Sequence, residues 1–216
     1  MTAAILTEFH TIPVLYENDD LIAVDKPEKL ASIPERNREK ISLLKILSEA
    51  RQQKLYVVHR LDKQVSGVIL FAKNAESHRY LNGLFEQRLI QKTYLALVHG
   101  VIRGENAAID IPLRRFGSGR MGEDRGRGKP CLTEFAVEKR FADYTLVTAC
   151  PKTGRKHQIR VHFFSIGHAI VGDPLYGNKS LQKEYPRLML HALALRFRSS
   201  ALEDISIESP IPPAFP

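Results

Sequence analysis

A polar loop between two strongly apolar runs is the feature that most constrains the fold of this chain. The loop spans residues 59–67, with the sequence HRLDKQVSG, and it contains one carboxylate, Asp62. The apolar runs at residues 56–58 and 68–71 are typical of short buried strands. A loop held at both ends by buried strands suits a side chain that must be positioned for chemistry. The alternative is a turn in which Asp62 bonds to local backbone and Gly67 supplies an unusual dihedral angle.

The order of the strands indicates an α+β fold. Strands are predicted at residues 14–16, 21–24, 68–72, 92–98, 132–139, 144–149, 188–197 and 205–208. They come mostly in adjacent runs with few helices between them, which argues against a doubly wound nucleotide-binding fold. We therefore expect residues 1–216 to form a single domain, either undivided or with two lobes around one cleft. Its central sheet is expected to be mixed and mainly antiparallel, with flanking helices and loops around a central cleft.

Three helices are predicted from caps and periodicity. Ser42 and Asn74 are suited to be N-caps, because their side-chain oxygens can accept hydrogen bonds from the first free backbone N–H groups. The helix after Asn74 is expected to extend through residue 87. A third helix opens within residues 152–160 and carries Ile159, Phe163 and Ile166 as its apolar row.

The charge distribution favours a polyanionic partner. The net charge is +8 and the pI is near 9.5, and each phosphate that a basic protein neutralises releases counterions. Within residues 114–130, six basic residues stand against Glu123 and Asp124. The six are Arg114, Arg115, Arg120, Arg125, Arg127 and Lys129. Interspersed glycines predict a mobile cationic loop, and its length and charge would suit wrapping around a folded RNA. The alternative is a solvated connector without function.

Several protein classes do not fit the sequence. No apolar run approaches the roughly 20 residues that cross a bilayer, and the first residues lack the basic start and apolar core of a signal peptide. Cys131 and Cys150 are the two cysteines, and neither belongs to a Cys-x-x-Cys pair. This argues against a disulfide scaffold and a cysteine-rich zinc site. We expect a cytosolic protein with no membrane partner.

The histidines, serines and glycines do not form a familiar catalytic or nucleotide-binding motif. His157 and His162 are five residues apart, so they lie about 140° apart around a helix and do not share the face of a zinc motif. Structural or RNA-contacting histidines are therefore expected, without a metal. Ser66 lacks the first glycine of a nucleophile elbow, and no phosphate-binding loop is present.

One carboxylate, one tyrosine and one arginine remain as candidates for chemistry. Asp62 follows a strand, Tyr94 lies within a strand, and Arg155 precedes a helix. An arginine beside a partly buried carboxylate fixes its direction, as a nucleophilic carboxylate requires. A tyrosine ring can stack on a nucleobase, and its hydroxyl can take part in proton transfer. The spacing alone leaves open whether these three side chains converge.

Two segments together resemble a known family. Residues 59–62 (HRLD) and 152–160 (KTGRKHQIR) are similar to the two signature segments of the RluA-type RNA pseudouridine synthases. Shorter matches follow in the family's order at residues 18–27, 91–94, 128–135, 167–173 and 188–192. The resemblance covers roughly residues 16–210. It implies the pseudouridine synthase catalytic fold.

The resemblance also implies a reaction, which is the isomerisation of specific uridines to pseudouridine in structured RNA. The RNA would be ribosomal RNA or transfer RNA, and the enzyme, expected as a monomer, would need no cofactor and no metal. By similarity, Asp62 is the nucleophile, Tyr94 stacks on the target base and serves as general base, and Arg155 pairs with Asp62. Leu190 would pack beneath the base. Arg60, which stands next to the expected nucleophile, is a candidate either to fill the space that the flipped nucleotide leaves or to hold the displaced backbone.

Three further signature residues complete the expected substrate-binding set: His59, Gln158 and Arg160. The sequence departs from the family pattern at two positions. Val65 stands where a threonine is usual, and Lys29 stands where a glycine usually follows a Lys-Pro pair. Because few residues precede the first predicted strand, we expect no separate N-terminal RNA-binding domain of the kind that many relatives carry.

Two other functions are compatible with parts of this pattern. One is an RNA-binding protein of the same fold that assists assembly, although such a protein has no need of Asp62, Tyr94 and Arg155 together. The other is a carboxylate-based glycosidase, a class that usually places two carboxylates across the scissile bond. The basic charge fits RNA better than polysaccharide.

Overall fold

The computed structural model describes residues 12–35 and 41–216. Along the chain the strands are β1 (Val14–Glu17), β2 (Leu21–Lys26), β3 (Tyr56–Val57), β4 (Ser66–Ala72), β5 (Gln91–His99), β6 (Asn106–Asp110), β7 (Leu113–Arg115), β8 (Met121–Glu123), β9 (Leu132–Arg140), β10 (Tyr144–Pro151), β11 (Leu190–Arg198) and β12 (Asp204–Glu208). The helices are α1 (Leu43–Arg51), α2 (Ala75–Glu86), α3 (Gln158–Ser165) and α4 (Lys179–Gln182).

A ten-stranded mixed sheet forms the body of the described chain. Its main order is β1-β2-β4-β11-β5-β10-β9-β6, with β3 also paired to β4 and β12 to β11. The pairing of β4 with β11 is parallel, whereas the other pairings in the sheet are antiparallel. This architecture confirms the predicted α+β class with its mixed, mainly antiparallel sheet.

The core lies on both faces of the sheet. Along β2, Ile22 and Val24 point into the apolar cluster that includes α1, while Leu21 and Ala23 point into the cluster that includes α2. Every residue of β4 is buried, because its two faces are both covered. Burying one such aliphatic side chain contributes about 1.5–3 kcal/mol, so the apolar run after the polar loop anchors that loop firmly.

The first two helices begin where their caps predict. The Ser42 hydroxyl accepts a hydrogen bond from the Lys45 N–H at 3.4 Å, and the Asn74 side chain accepts one from the Ser77 N–H at 2.8 Å. No helix of the described residues is long and apolar enough to cross a membrane.

The third helix begins within the predicted segment, residues 152–160. α3 begins at Gln158, and His157 precedes it with a left-handed φ of 55°. Ile159 and Phe163 are buried as predicted, but Ile166 is exposed, so its place in the apolar row is wrong. The helix ends at Ser165, so Ile166 does not continue the buried face of the helix and its side chain lies in solvent.

The basic segment at residues 114–130 is folded, contrary to the expectation of a mobile loop. Strands β7 and β8 pair as a hairpin, and the Phe116 N–H donates to the Arg120 carbonyl at 2.9 Å. The hairpin is attached to the body through buried Leu113 and through the Met121 N–H, which donates to the Tyr176 hydroxyl at 3.3 Å. We call residues 113–123 the basic hairpin.

Candidate active site

The eight predicted site residues line one cavity of about 510 Å³. They are His59, Arg60, Asp62, Tyr94, Arg155, Gln158, Arg160 and Leu190. The cavity lies where the loop before β4, the strand β5, the start of β11 and the start of α3 meet. The sheet therefore brings together residues that lie far apart in the sequence.

The backbone on both sides of Asp62 is fixed by buried polar groups. The Ser32 hydroxyl accepts a hydrogen bond from the Leu61 N–H at 3.1 Å and donates to the Leu61 carbonyl at 2.9 Å. The Val65 N–H donates to the Asp62 carbonyl at 3.0 Å, which closes a turn. These bonds leave the carboxylate side chain directed toward the cavity, where it is 26% exposed.

Lys26, a fully buried lysine, supports the same loop from below. Its ammonium donates to the carbonyls of Pro27 and Leu30 at 2.8 Å each and to the carbonyl of Lys63 at 3.2 Å. Burial lowers the pKa of Lys26 to about 7, and the carboxylate of Asp62 opposes this shift. One side chain thus ties the end of β2 to the residue that follows Asp62.

The ion-pair partner of Asp62 is Arg160. Its Nη1 donates to Asp62 Oδ2 at 3.1 Å, while Nε and Nη2 bind both carboxylate oxygens of Asp173 at 2.7 and 2.8 Å. The Arg160 side chain is 1% exposed, and that of Asp173 is fully buried. A buried guanidinium needs such partners, because leaving it unpaired would cost several kcal/mol. Arg160 was expected to bind substrate, and it holds the candidate nucleophile instead.

Arg155 does not have the role that the resemblance implied. It lines the cavity with an exposed side chain, and it forms no ion pair with a carboxylate of the described chain. Its backbone N–H donates to the Gln158 side chain at 3.0 Å. The expectation that Arg155 pairs with Asp62 is therefore corrected: Arg160, the third residue of α3, forms that pair.

Gln158 and His59, which were expected to contact the substrate, form hydrogen bonds within the protein. The Gln158 side chain accepts from the Thr153 hydroxyl at 2.7 Å and donates to the Leu132 carbonyl at 2.9 Å, so it anchors α3 to β9. His59 Nε2 accepts from the Leu70 N–H at 3.0 Å. Burial lowers the pKa of His59 to about 3, which keeps this ring neutral. The side chain of Gln158 is therefore engaged at both its oxygen and its nitrogen, and the Nε2 atom of His59 is engaged with backbone.

Tyr94, Leu190 and Arg60 keep free surfaces toward the cavity. Tyr94 sits on β5 between Ala149 of β10 and Ala192 of β11, so small neighbours leave room beside its ring. Burial raises the pKa of Tyr94, and the Asp62 carboxylate raises it further, so the hydroxyl stays protonated at neutral pH. Leu190 is buried in the cavity wall, and Arg60 is exposed.

His157 completes the surroundings of Asp62, although it was not among the predicted site residues. The Tyr176 hydroxyl accepts from the Met121 N–H, so its own proton is free to bond His157 Nδ1 at 2.9 Å. Burial lowers the pKa of His157 to about 4, so the ring is neutral and carries its proton on Nε2. Nε2 lies 3.7 Å from Asp62 Oδ2.

Residues 20–165 match the sequence model of a protein family that is described as RNA pseudouridylate synthase. The chain belongs to the RluA-type family of RNA pseudouridine synthases. It is 37% identical over 191 residues to the dual-specificity RNA pseudouridine synthase RluA of Vibrio vulnificus, covering 85% of this chain and 76% of that protein. It is 38% identical over 209 residues to the ribosomal large subunit pseudouridine synthase C of Yersinia pestis, covering 92% of this chain and 65% of that protein.

Two further comparisons extend this family assignment. An uncharacterized RNA pseudouridine synthase homologue of Mycoplasma pneumoniae is 37% identical over 191 residues, which cover 86% of this chain and 62% of that protein. The solved structure of human RNA pseudouridylate synthase domain containing 1 superposes with a TM-score of 0.81 at 29% identity. The superposition covers 94% of this chain and 84% of that chain.

The structure shows the setting of both departures from the RluA-type pattern. Lys29 adopts a left-handed φ of 63°, a conformation that glycine takes without strain and lysine does not. Val65 is 3% exposed and packs in the apolar cluster beneath the site. A valine side chain fits this position, because its surroundings are apolar.

Proposed function

We propose that this protein converts uridine to pseudouridine in structured RNA, with Asp62 as the nucleophile. The observation that carries the proposal is the setting of Asp62 in the cavity. Its carboxylate is oriented by Arg160, faces the Nε2 of His157, and shares the cavity with the ring of Tyr94. Uridine and pseudouridine contain the same atoms, so the reaction requires no cofactor to supply electrons or groups.

The side chains suit the steps of this isomerisation. The Asp62 carboxylate forms a bond to the bound nucleoside while the bond between N1 of the base and C1′ of the sugar breaks. The base turns, C5 bonds to C1′ and Asp62 is released. C5 then gives up its proton and N1 of the base takes one up, so the product has the same atoms as uridine. Tyr94 and Leu190 offer apolar surface to the base during this turn. Because its hydroxyl stays protonated, Tyr94 can receive the C5 proton only while it passes its own proton on.

The cavity requires the target nucleotide to leave its helix. Flipping a base out of a stack costs a few kcal/mol, which must be recovered by contacts in the site. Arg60 is exposed beside the candidate nucleophile, and we propose that it occupies the vacated space. The basic hairpin and the rest of residues 114–130 would grip the RNA backbone through phosphate contacts.

Ribosomal RNA is the favoured substrate class, with transfer RNA as the second. The name of the Yersinia relative refers to the ribosomal large subunit, and that of the Vibrio relative to dual specificity. The reaction is proposed for the cytoplasm, where both RNAs are processed. The test is to map pseudouridines across total RNA from cells with and without the gene. At least one ribosomal or transfer RNA position should lose its modification, and identical maps would contradict the proposal.

A further inference from the structure

A second cavity, of about 520 Å³, lies between the basic hairpin and α3. Two aromatic side chains in its lining are unusually open: Phe116 is 39% exposed and Phe164 is 42% exposed. The guanidinium of Arg120 lies 5.8 Å from the ring centre of Phe164 and 4.8 Å from that of Tyr176. We call this the hairpin cavity. Open aromatic rings beside cations are a combination that marks binding surfaces rather than packing.

We propose that the hairpin cavity binds an unpaired nucleotide of the RNA substrate by stacking its base on Phe164. This inference rests on the proposed function, and it adds a second contact for the same RNA. Every nucleobase has a planar π-face, so an aromatic ring can hold it without reading its identity. Arg120 adds a planar cation beside the ring, which can stack on the same base or bind its phosphate.

Charge complementarity selects RNA as the occupant. Arg115, Arg120 and Arg127 are exposed and form no ion pair with a carboxylate of the described residues. The two acidic residues of the segment are already engaged, Asp124 with Arg114 and Glu123 with Arg125, at 2.9 Å each. The free charge around the cavity is therefore positive. A polyanion with flat apolar bases satisfies both the open cations and the open rings.

The hairpin cavity lies close to the active site. Tyr176 links the two, because its side chain lines the hairpin cavity and bonds to a residue that lines the active site. The Tyr176 ring lies 6.0 Å from the ring of Phe164, and its hydroxyl bonds His157, which faces Asp62. Phe164 follows His157 by seven residues, which is about 10 Å along a helix axis. Stacked nucleotides of one strand are about 3.4 Å apart. The stacked base is therefore expected within about three positions of the target uridine.

The experiment compares Phe164→Leu with Phe164→Tyr in a protein that also carries Asp62→Asn, so that no turnover occurs. The probe is a fluorescein-labelled RNA stem-loop with a seven-nucleotide loop containing uridine, beside a blunt duplex of the same stem. Leucine keeps the apolar volume but removes the π-face, so it should weaken loop binding about 10-fold. Tyrosine should stay within 2-fold of the parent, and duplex binding should not change.

Two companion variants separate stacking from charge and from general exposure. Arg120→Ala should reduce the slope of log Kd against log salt by about one, whereas Phe164→Leu should leave that slope unchanged. Ile211→Ala removes an apolar side chain that is 54% exposed elsewhere, and it should leave RNA binding unchanged. Thermal unfolding of each variant establishes that the fold is retained.

Parent-like binding by a folded Phe164→Leu protein would overturn the inference, and so would an equal loss for loop and duplex RNA. Neither result bears on catalysis, since the binding assay contains no uridine conversion. Conversely, a wild-type protein that converts no uridine in cellular RNA would defeat the proposed function. The 10-fold loss at Phe164 would still be measurable in that case.

Discussion

Arg160 donates hydrogen bonds to two carboxylates at once, those of Asp62 and Asp173. Two of its nitrogen atoms bind Asp173 and a third binds Asp62, in a setting where the arginine side chain is 1% exposed. Only a planar guanidinium supplies three donors in such fixed directions. The direction of the Asp62 carboxylate therefore depends on a neighbour that is itself locked in place.

Replacing Arg160 by lysine should damage the enzyme far more than replacing Arg155 by lysine. A lysine ammonium cannot bridge both carboxylates, and a misplaced nucleophile can lower kcat about 10²-fold. The free energy of unfolding should also fall by roughly 3 kcal/mol, because a buried charge loses its partner. Arg155→Lys keeps an exposed positive charge, and its unfolding free energy should change by less than about 0.5 kcal/mol. Single-turnover conversion and urea unfolding measure both effects, and a larger loss at Arg155 would contradict the assignment.

The sequence predicted which residues line the cavity, but it did not predict which of them form hydrogen bonds and ion pairs with each other. All eight predicted residues line the cavity, since motif residues in order along a chain mark one site. Which arginine pairs with Asp62 depends on where α3 begins, and both Arg155 and Arg160 lie in the one signature segment, residues 152–160. With the start at Gln158, Arg160 lies in the first turn and is buried, while Arg155 remains in the exposed turn before it.

Gly67 makes a close backbone approach between two strands that carry the site, β4 and β11. It pairs with Ala192 of β11 across the parallel junction, and its φ is 111°. A Cβ atom at Gly67 would lie 2.2 Å from the Ala192 carbonyl oxygen, which is a severe clash with backbone. The last residue of the polar loop motif is thus glycine because β4 and β11 meet there.

Gly67→Ala should reduce the free energy of unfolding by roughly 3 kcal/mol or more, from dihedral strain together with overpacking. Gly104→Ala is the matched control, because Gly104 has a φ of 85° but a Cβ atom added there would meet no other atom within 4 Å. The control should lose only about 1–2 kcal/mol, the cost of the left-handed conformation alone. Urea unfolding compares them, and equal losses would rule out the close approach as the cause.

Elements with local signals were predictable, and elements held by distant contacts were not. Ser42 and Asn74 cap their helices through bonds within four residues, so the sequence contains the whole signal. The basic hairpin has many glycines and charges, and its order depends on Leu113 in the core and on Tyr176 some 55 residues away. Local composition therefore indicated a loop where tertiary contacts form strands.

The whole molecule should lose stability on mild acidification. Burial lowers the pKa of His59 to about 3 and those of His157 and His191 to about 4, from an ordinary value of 6.5. Between pH 6.5 and 4 the unfolded chain binds protons that the folded chain does not, so stability falls as the pH falls. Each histidine contributes about 1.4 kcal/mol per pH unit in this window. Urea unfolding from pH 6.5 to 4.5 checks this, and His191→Gln should flatten the slope.

RNA binding by the whole molecule should depend steeply on salt. Replacing Arg115, Arg127 and Lys129 together by alanine should lower the slope of log Kd against log salt by about two to three. Arg196→Ala with Arg198→Ala is the control, because these residues lie toward the opposite end of β11 from Leu190, roughly 20 and 27 Å along the strand. Filter binding at several salt concentrations measures the slopes. A triple variant with the wild-type slope would contradict the role of the basic segment.

The most direct test of the account is tritium release from RNA labelled at C5 of uridine, because C5 loses its hydrogen when it bonds to the sugar. The wild-type protein should release tritium, and so should Asp204→Asn, which changes an aspartate whose side chain is 88% exposed. Asp62→Asn should bind the RNA yet release tritium about 10³-fold more slowly or not at all. Release by Asp62→Asn at the wild-type rate would contradict Asp62 as the nucleophile.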